Sequence, residues 1–449
     1  MTTLPNGTTD NPGAAKTAYV NAHLLDPATG LDQVGALLTD GENIADMGGD
    51  LFRDDKGWSI PEEINKVDCG GAYLSPGFVD IRVQTGEPGQ EHKGTLSSEC
   101  RAATSGGITS MVCLPNTDPV IDDMSVVEFV ARRARKLGLT KVYPYGAITK
   151  GANGKELAEL GMLSESGAVA FTDGVKAVQD AQVMRQALSY ASTFDLLLVQ
   201  HPEEQSLSGE GAMNLGELST RLGLPGIPTQ AEVIIIERDV RLVELTGGRV
   251  HFAHVSTAES VEAIQRAKDR GLRVTCDTAP PYFALNETAV GDYRTFAKLS
   301  PPLRSEADRQ AIVAGLKNGT IDAIASDHSP QDEEAKRLPM AQAAFGGVGL
   351  DTLLPITLEL YHNGHLDLLG ALSLITNKPA DLLGLPAGRL KVGAAADLTV
   401  FEADRGWKID ATTLMTKSKN TPFDGRPVQG RVNRTIIDGR LVHELPDAS

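Results

Sequence analysis

Short apolar runs near both ends of the chain alternate with polar positions at a period of two, the spacing of half-buried β-strands. Between residues 17 and 70 such runs occupy 18–25, 35–38 and 44–47, separated by Asp-Pro and Asp-Gly turns. A second set starts at Leu390, runs through GAAADLTVFEAD and continues in GRVNRTIIDGRLVH, with Asp-Gly turns beside β-branched runs. The ends of a domain commonly lie close together, so 17–70 and 386–449 are expected to pair into one small β-sandwich domain.

The pattern changes between 71 and 385, where apolar strands are followed by polar-faced helices. ITSMVCL precedes a helix over 125–136, VYPYGAI one over 155–161, AVAFTD one over 181–189 and VHFAHV one over 259–269. DLLLVQH, RVTCDTA and AIASDH supply further strands. About eight such units predict an α/β fold, a TIM-like (β/α)8 barrel, which typically needs about 250 residues. A doubly wound sheet has the same alternation, but no strand is followed by a GxGxxG or GxxxxGK phosphate loop.

Composition narrows the function classes. Of 449 residues 41% are hydrophobic and 22% charged, the balance of a folded globular chain. The 42 Lys and Arg against 59 Asp and Glu give a formal charge of −17, which disfavours nucleic acid as a partner. The longest apolar runs, 194–199 and 233–236, fall far below the roughly 18 residues of a bilayer span, so no membrane partner is expected. Residues 1–16 have neither a basic nor an apolar leader region and read as a polar, flexible tail, which gives a cytoplasmic expectation. Cys69, Cys100, Cys113 and Cys276 show no CxxC spacing and are expected to be buried, reduced thiols.

In a barrel of this kind the C-terminal strand ends build the active site, so polar residues that close an apolar strand carry the information. Asp80, Asp173, His201, His254 and Asp327 stand at such places. Imidazole and carboxylate are the ordinary ligands of catalytic zinc, although a single strand-end His is more often a hydrogen-bonded or surface residue. His251 and His254 are three apart on a strand, so only one of them enters the barrel, and the same geometry separates Asp327 from His328.

Nine segments in order carry a resemblance: PGFVDIRVQTGEPGQEHKGT (76–95), LPNTDPV (114–120), FTDG (171–174), HPEE (201–204), HFAHVSTAE (251–259), SPPLRSEADR (300–309), SDHSPQDEEAK (326–336), FGGVGLDTLLP (345–355) and TPFDGRPVQGRV (421–432). Together they resemble type I dihydroorotases of the cyclic amidohydrolase superfamily. The resemblance implies a metal-dependent barrel over 71–385 with a flanking β-sandwich. It also exposes departures. The family's first strand reads Asp-x-His-x-His-x-Arg-Glu-Pro-Gly, with two zinc-binding histidines and a substrate-gripping arginine. Here Arg82, Gln84 and Gly86 stand at those three positions, in a register fixed by Asp80 and by Glu87-Pro88-Gly89. The Thr-Pro-His-His after the sixth strand is Ala279-Pro280-Pro281-Tyr282, Asn-Pro-Pro-Leu-Arg begins with Ser300, and Asp-His-Ala-Pro-His ends at Gln331. Still present are Asn116, a substrate-side contact by resemblance, with Asp173, His201, His254 and Asp327; the last matches the general base and metal ligand.

A guanidinium cannot donate a lone pair to zinc and repels the ion, so no cofactor is expected. Arg82 is instead expected to occupy the vacated metal volume and pair with Asp327, Asp173 or both; the alternative is a side chain that reaches solvent. Members of the family with this kind of loss resemble the non-catalytic partners of aspartate carbamoyltransferase. The first functional expectation is therefore an inactive structural subunit, as a homodimer or in a mixed oligomer with that enzyme. The alternative is an active dihydroorotase with zinc held by Asp173, His201, His254 and Asp327; hydrolysis of another cyclic amide, such as a hydantoin, ranks third. The glycines of FGGVGLD suit either a loop over a substrate or plain turn geometry, and Arg304 reads as a packing or salt-bridge residue.

Overall fold

FVDIRV and ITSMVC, residues 78–83 and 108–113, are buried at every position, as strands covered on both faces must be. In the computed structural model, which describes residues 16–55 and 57–446, they are the first two staves of a parallel barrel. Lys141–Pro144 is the third stave, and the fourth is reduced to bridges made by Phe171 with Gly146 and Leu198. Leu197–Gln200, Arg249–Phe252, Val274–Thr278 and Ala323–Ile324 complete the ring, which closes where His328 bridges back to Val83. The (β/α)8 expectation holds. Val79, Ile81, Val112, Leu114, Ala170, Val199, Ala253 and Ala325 form one apolar cluster drawn from around the ring.

Helices start where the caps place them. Asp123, Asp180, Thr257 and Ser305 each accept a first-turn N–H, opening Met124–Leu137, Ala181–Thr193, Ala258–Asp269 and Glu306–Asn318. The helix expected over 155–161 is not formed. Thr149 pairs with Leu157 as an antiparallel bridge, Gly151 and Gly154 turn the chain at φ 62° and 73°, and the helix is Leu160–Glu165. Within the expected span the backbone is spent on this pairing instead, with Lys150 N–H bonded to the Glu156 carbonyl and Ala158 N–H to the Ile148 carbonyl, which leaves no turn to nucleate a helix before Leu160.

Strands from both ends of the chain share one eight-stranded sheet. From one edge the order is Arg440–Glu444, Pro427–Ile437, Leu398–Lys408, Tyr73–Pro76, Thr17–Asp26, Leu31–Asp40 and Asn43–Gly48, with Asn65–Asp68 parallel to Thr17–Asp26. Tyr19, Leu37, Leu74, Leu398 and Ile436 pack in one apolar cluster, and Ala18, Val20 and Ala36 in another with Trp58 and Ile60 against it. Lys141 of the third stave ties barrel to sheet, its Nζ 2.8 Å from Asp397 and 2.7 Å from Asp438. All four cysteines are buried and free. Among the described residues no helix is long and apolar enough to cross a membrane. The tail expected at 1–16 lies outside the described residues apart from Lys16.

Candidate functional site at the barrel mouth

The first stave places Arg82 and Gln84, two residues apart and so on one face, at the barrel mouth. Asn116 follows the second stave, Asp173 the fourth, His201 the fifth, His254 the sixth and Asp327 the eighth. Arg82, Gln84, Asn116, His201, Asp327 and Gln331 all line a cleft of about 410 Å³. His254 and Asp327 adopt φ of 39° and 51°, a region that costs a non-glycine residue about 1–3 kcal/mol and that clusters at functional sites.

Arg82 is only 2% exposed. Its Nε donates to Asp327 Oδ1 at 2.8 Å and its Nη2 to the Gly174 carbonyl at 3.2 Å, while Nη1 is buried with no partner among the described residues. The ion pair forms with Asp327 alone, because Asp173 is engaged elsewhere: its carboxylate accepts from Thr149 N at 2.9 Å and Thr149 Oγ1 at 2.5 Å. The expected alternative of an Arg82 that reaches solvent is excluded. Burial pushes the Asp327 carboxyl up to about 6 while Arg82 pulls the other way, and burial raises Asp173 against the two Thr149 bonds.

His201 Nδ1 and His254 Nε2 lie 3.0 Å apart, one donating to the other, and His254 Nδ1 is buried without a partner among the described residues. Burial holds His201 down to about 3 and His254 well below its ordinary value, and the Arg82 charge pushes both the same way. Both rings are therefore neutral at neutral pH.

The other substituted positions are equally built in. Gln84 donates to Ser329 Oγ at 2.9 Å and accepts from Asn116 Nδ2 at 3.0 Å, linking three staves. Gly86 turns at φ 70°, and a Cβ there would lie 2.6 Å from the Gly94 carbonyl oxygen, so the present loop has no room for the family's arginine. Tyr282 is buried and donates to the Pro301 carbonyl, and Ser300 lies on the cleft wall.

These residues do not fit a metal ion. The place of a first-strand ligand holds a guanidinium that already uses Asp327, Asp173 has both oxygens on Thr149, and the two imidazoles bond each other. Among the described residues no three His, Cys, Asp or Glu converge as a ligand set. What the mouth offers instead is a polar cleft with amides at Gln84, Asn116 and Gln331 and an internally neutralised cation.

Comparison with known proteins agrees with the order of the motifs. Residues 71–260 match the family model described as dihydro-orotase-like, and 236–443 match an amidohydrolase family model. The dihydroorotase of Ehrlichia chaffeensis is 44% identical over 429 residues, covering 95% of each chain. That of Syntrophotalea carbinolica is 44% identical over 432 residues, covering 96% of this chain and all of the other. The chain belongs to the dihydroorotase-like amidohydrolases. An L-hydantoinase from Arthrobacter aurescens superposes with a TM-score of 0.83 at 24% identity over 96% of both chains, and a dihydropyrimidinase from Brevibacillus agri with 0.80 at 22%. At that identity the likeness is one of fold.

Among dihydroorotase-like residues, several at this mouth carried no expectation from sequence. Thr149 captures Asp173 from a loop, where no periodicity marks it. Asp277, next to last in its stave, accepts from the His254 backbone N–H at 2.6 Å and His251 Nε2 at 2.9 Å, so attention to polar residues near strand ends would have found it. Asp80 stays beneath the mouth, taking the N–H groups of Arg82 and Ser326, with its carboxyl raised to about 6 by burial. His328 turns away to Glu99, 2.8 Å distant and fully buried with it. Arg304 sits in a buried network with Ser256, Asn214 and Glu232.

Proposed function

We propose that the chain serves pyrimidine biosynthesis as a metal-free, non-catalytic dihydroorotase homologue, a structural subunit that assembles with aspartate carbamoyltransferase. The observation that carries the metal-free part is the Arg82–Asp327 pair: a protein cation stands against the carboxylate that the family resemblance assigns to metal and general-base work. The partner rests on the family resemblance alone, and a homodimer or a mixed oligomer fits equally. A second reading has its own support. The curated relatives at 43–44% identity over nearly their full length are named dihydroorotase, and those names favour an active zinc-dependent hydrolase of dihydroorotate over a non-catalytic subunit.

The experiment that separates them is a dihydroorotate hydrolysis assay on the purified full chain with zinc added, run beside co-purification with aspartate carbamoyltransferase. No turnover, with retention of the transferase, supports the subunit. Turnover that depends on Asp327 and is abolished by a chelator overturns it in favour of the hydrolase.

A further inference from the structure

A second cavity of about 200 Å³ lies away from the cleft, where the helix Leu353–His362 meets the strands Leu398–Lys408 and Pro427–Ile437. Two groups of opposite charge on its wall have unmet hydrogen-bonding capacity. Asp351 Oδ1 accepts from Ser105 Oγ at 2.7 Å and from the Met415 N–H at 3.1 Å, but its Oδ2 is buried with no partner among the described residues. The Arg431 guanidinium stacks 3.9 Å from the centroid of the Trp407 ring and makes no hydrogen bond or ion pair with another described residue. The ring itself is fixed by its Nε1, which donates to the Gly430 carbonyl at 2.8 Å. A buried carboxylate oxygen left bare is destabilising, so a group that supplies its donor is favoured.

We propose that this cavity binds a small zwitterion of the α-amino-acid class. The ammonium donates to Asp351 Oδ2, the carboxylate accepts from Arg431, and Trp407 and Pro355 cover the aliphatic part. A simple cation would leave Arg431 unpaired and lie beside it, and a simple anion would do the same to Asp351; only a ligand with both charges meets both needs. The volume is below the roughly 300–1,000 Å³ of sites for drug-sized molecules, which selects a ligand of amino-acid size.

Two segments run from this cavity to the mouth. In FGGVGLD, Phe345, Gly346 and Gly347 line the cleft while Asp351 lines the cavity. Thr413, Leu414 and Met415 line the cavity, and a few residues on Ser418 Oγ donates to the Lys93 carbonyl and Asn420 Nδ2 to the carbonyls of Ser329 and Gly346. A ligand that fixes Asp351 and Met415 restrains the rim of the cleft through both. The inference is independent of whether the mouth hydrolyses anything.

Isothermal titration calorimetry on the full chain with glycine, L-alanine and L-leucine tests it, with acetate and ethylamine as single-charge controls. The amino acids are expected to bind at least about tenfold more tightly than either control, and Arg431→Gln to lose at least about tenfold in affinity. Hydrogen exchange slows over 345–351 and 413–420 when the amino acid binds. Asp351→Asn, read in the same way, keeps the test decisive if R431Q melts early. No heat from any amino acid, equal binding of the controls, or undiminished affinity in a folded variant overturns the proposal.

Discussion

On one flank of the barrel mouth the first stave and the loop that leaves it carry Arg82, Gln84 and Gly86, three residues foreign to the family's motif; on the opposite flank the ends of the fifth and sixth staves keep its His201 and His254. The foreign residues reach across the ring. Arg82 takes Asp327 and Gly174, and Gln84 takes Asn116 and Ser329. The kept residues turn on each other, two neutral imidazoles 3.0 Å apart. A retained side chain is therefore not a retained site: the donors that a metal would need survive in sequence, and their lone pairs or their surroundings have been reassigned. The substituted flank holds a buried ion pair, whereas the kept flank holds two imidazoles bonded to each other.

That contrast breaks most visibly at Arg82. Arg82→Met strands a carboxylate that is 17% exposed, and the loss on chemical denaturation is expected at about 3–5 kcal/mol, the usual cost of breaking a buried pair from one side. Arg82→Met combined with Asp327→Asn recovers most of that loss, because the two effects share one interaction. A single variant no less stable than the parent would show that the pair is not what neutralises the mouth.

Restoring the family's arginine by Gly86→Arg comes next. A side chain at φ 70°, with a Cβ 2.6 Å from the Gly94 oxygen, is expected to cost about 1–3 kcal/mol and to lower the melting temperature. An unchanged melt would mean that the loop adapts and that its present course is no barrier.

The kept flank is sharpened by pH. The unfolded chain takes up a proton on His201 near 6.5 that the folded chain refuses until about 3, so this contribution is fully present above 6.5 and fades as pH falls towards 3. Between pH 6.5 and 5 the loss is about 1.5 kcal/mol, and His201→Gln is expected to flatten it. Asp80 and Asp327, raised to about 6, work in the opposite direction between 3.8 and 6, so the difference between variant and parent curves isolates the histidine. Parallel curves would return a charge to His201. The smallest effect belongs to Gln84→Ala, which severs the link from Asn116 to Ser329 and should cost about 1 kcal/mol by urea titration; no change would leave that chain idle.

The barrel was legible from the pattern where an apolar run such as ITSMVC is buried on both faces, while FVDIRV was recognised as the first strand through the family motif. AVAFTD and AIASDH were also legible as strands, but not how short they would be: one stave shrinks to Phe171 and its two bridges, the other to Ala323–Ile324. The segment from Lys155 defeated a helix expectation because Glu156, Leu157 and Ala158 pair in extended form with 148–150, a tertiary choice that outweighs the helix propensity of Lys155, Glu156 and Leu157. At the mouth, the missing ligand pair was legible only by setting Arg82, Gln84 and Gly86 against the family motif, and a buried Arg82 stood beside the alternative of one that reaches solvent. Which carboxylate the cation takes could not be read, since the choice is made by Thr149, which competes for Asp173 from a loop with no pattern of its own.

The central claim is that Arg82 is the resident cation of this mouth in place of a metal. Its most direct test is the zinc content of the full chain by elemental analysis after equilibrium dialysis against a modest excess of zinc. The account predicts less than about 0.1 zinc per chain in the parent protein, since a guanidinium stands against Asp327, Thr149 holds both oxygens of Asp173 and the two imidazoles bond each other. About one zinc per chain, lost when Asp327 or His254 is replaced, would contradict it.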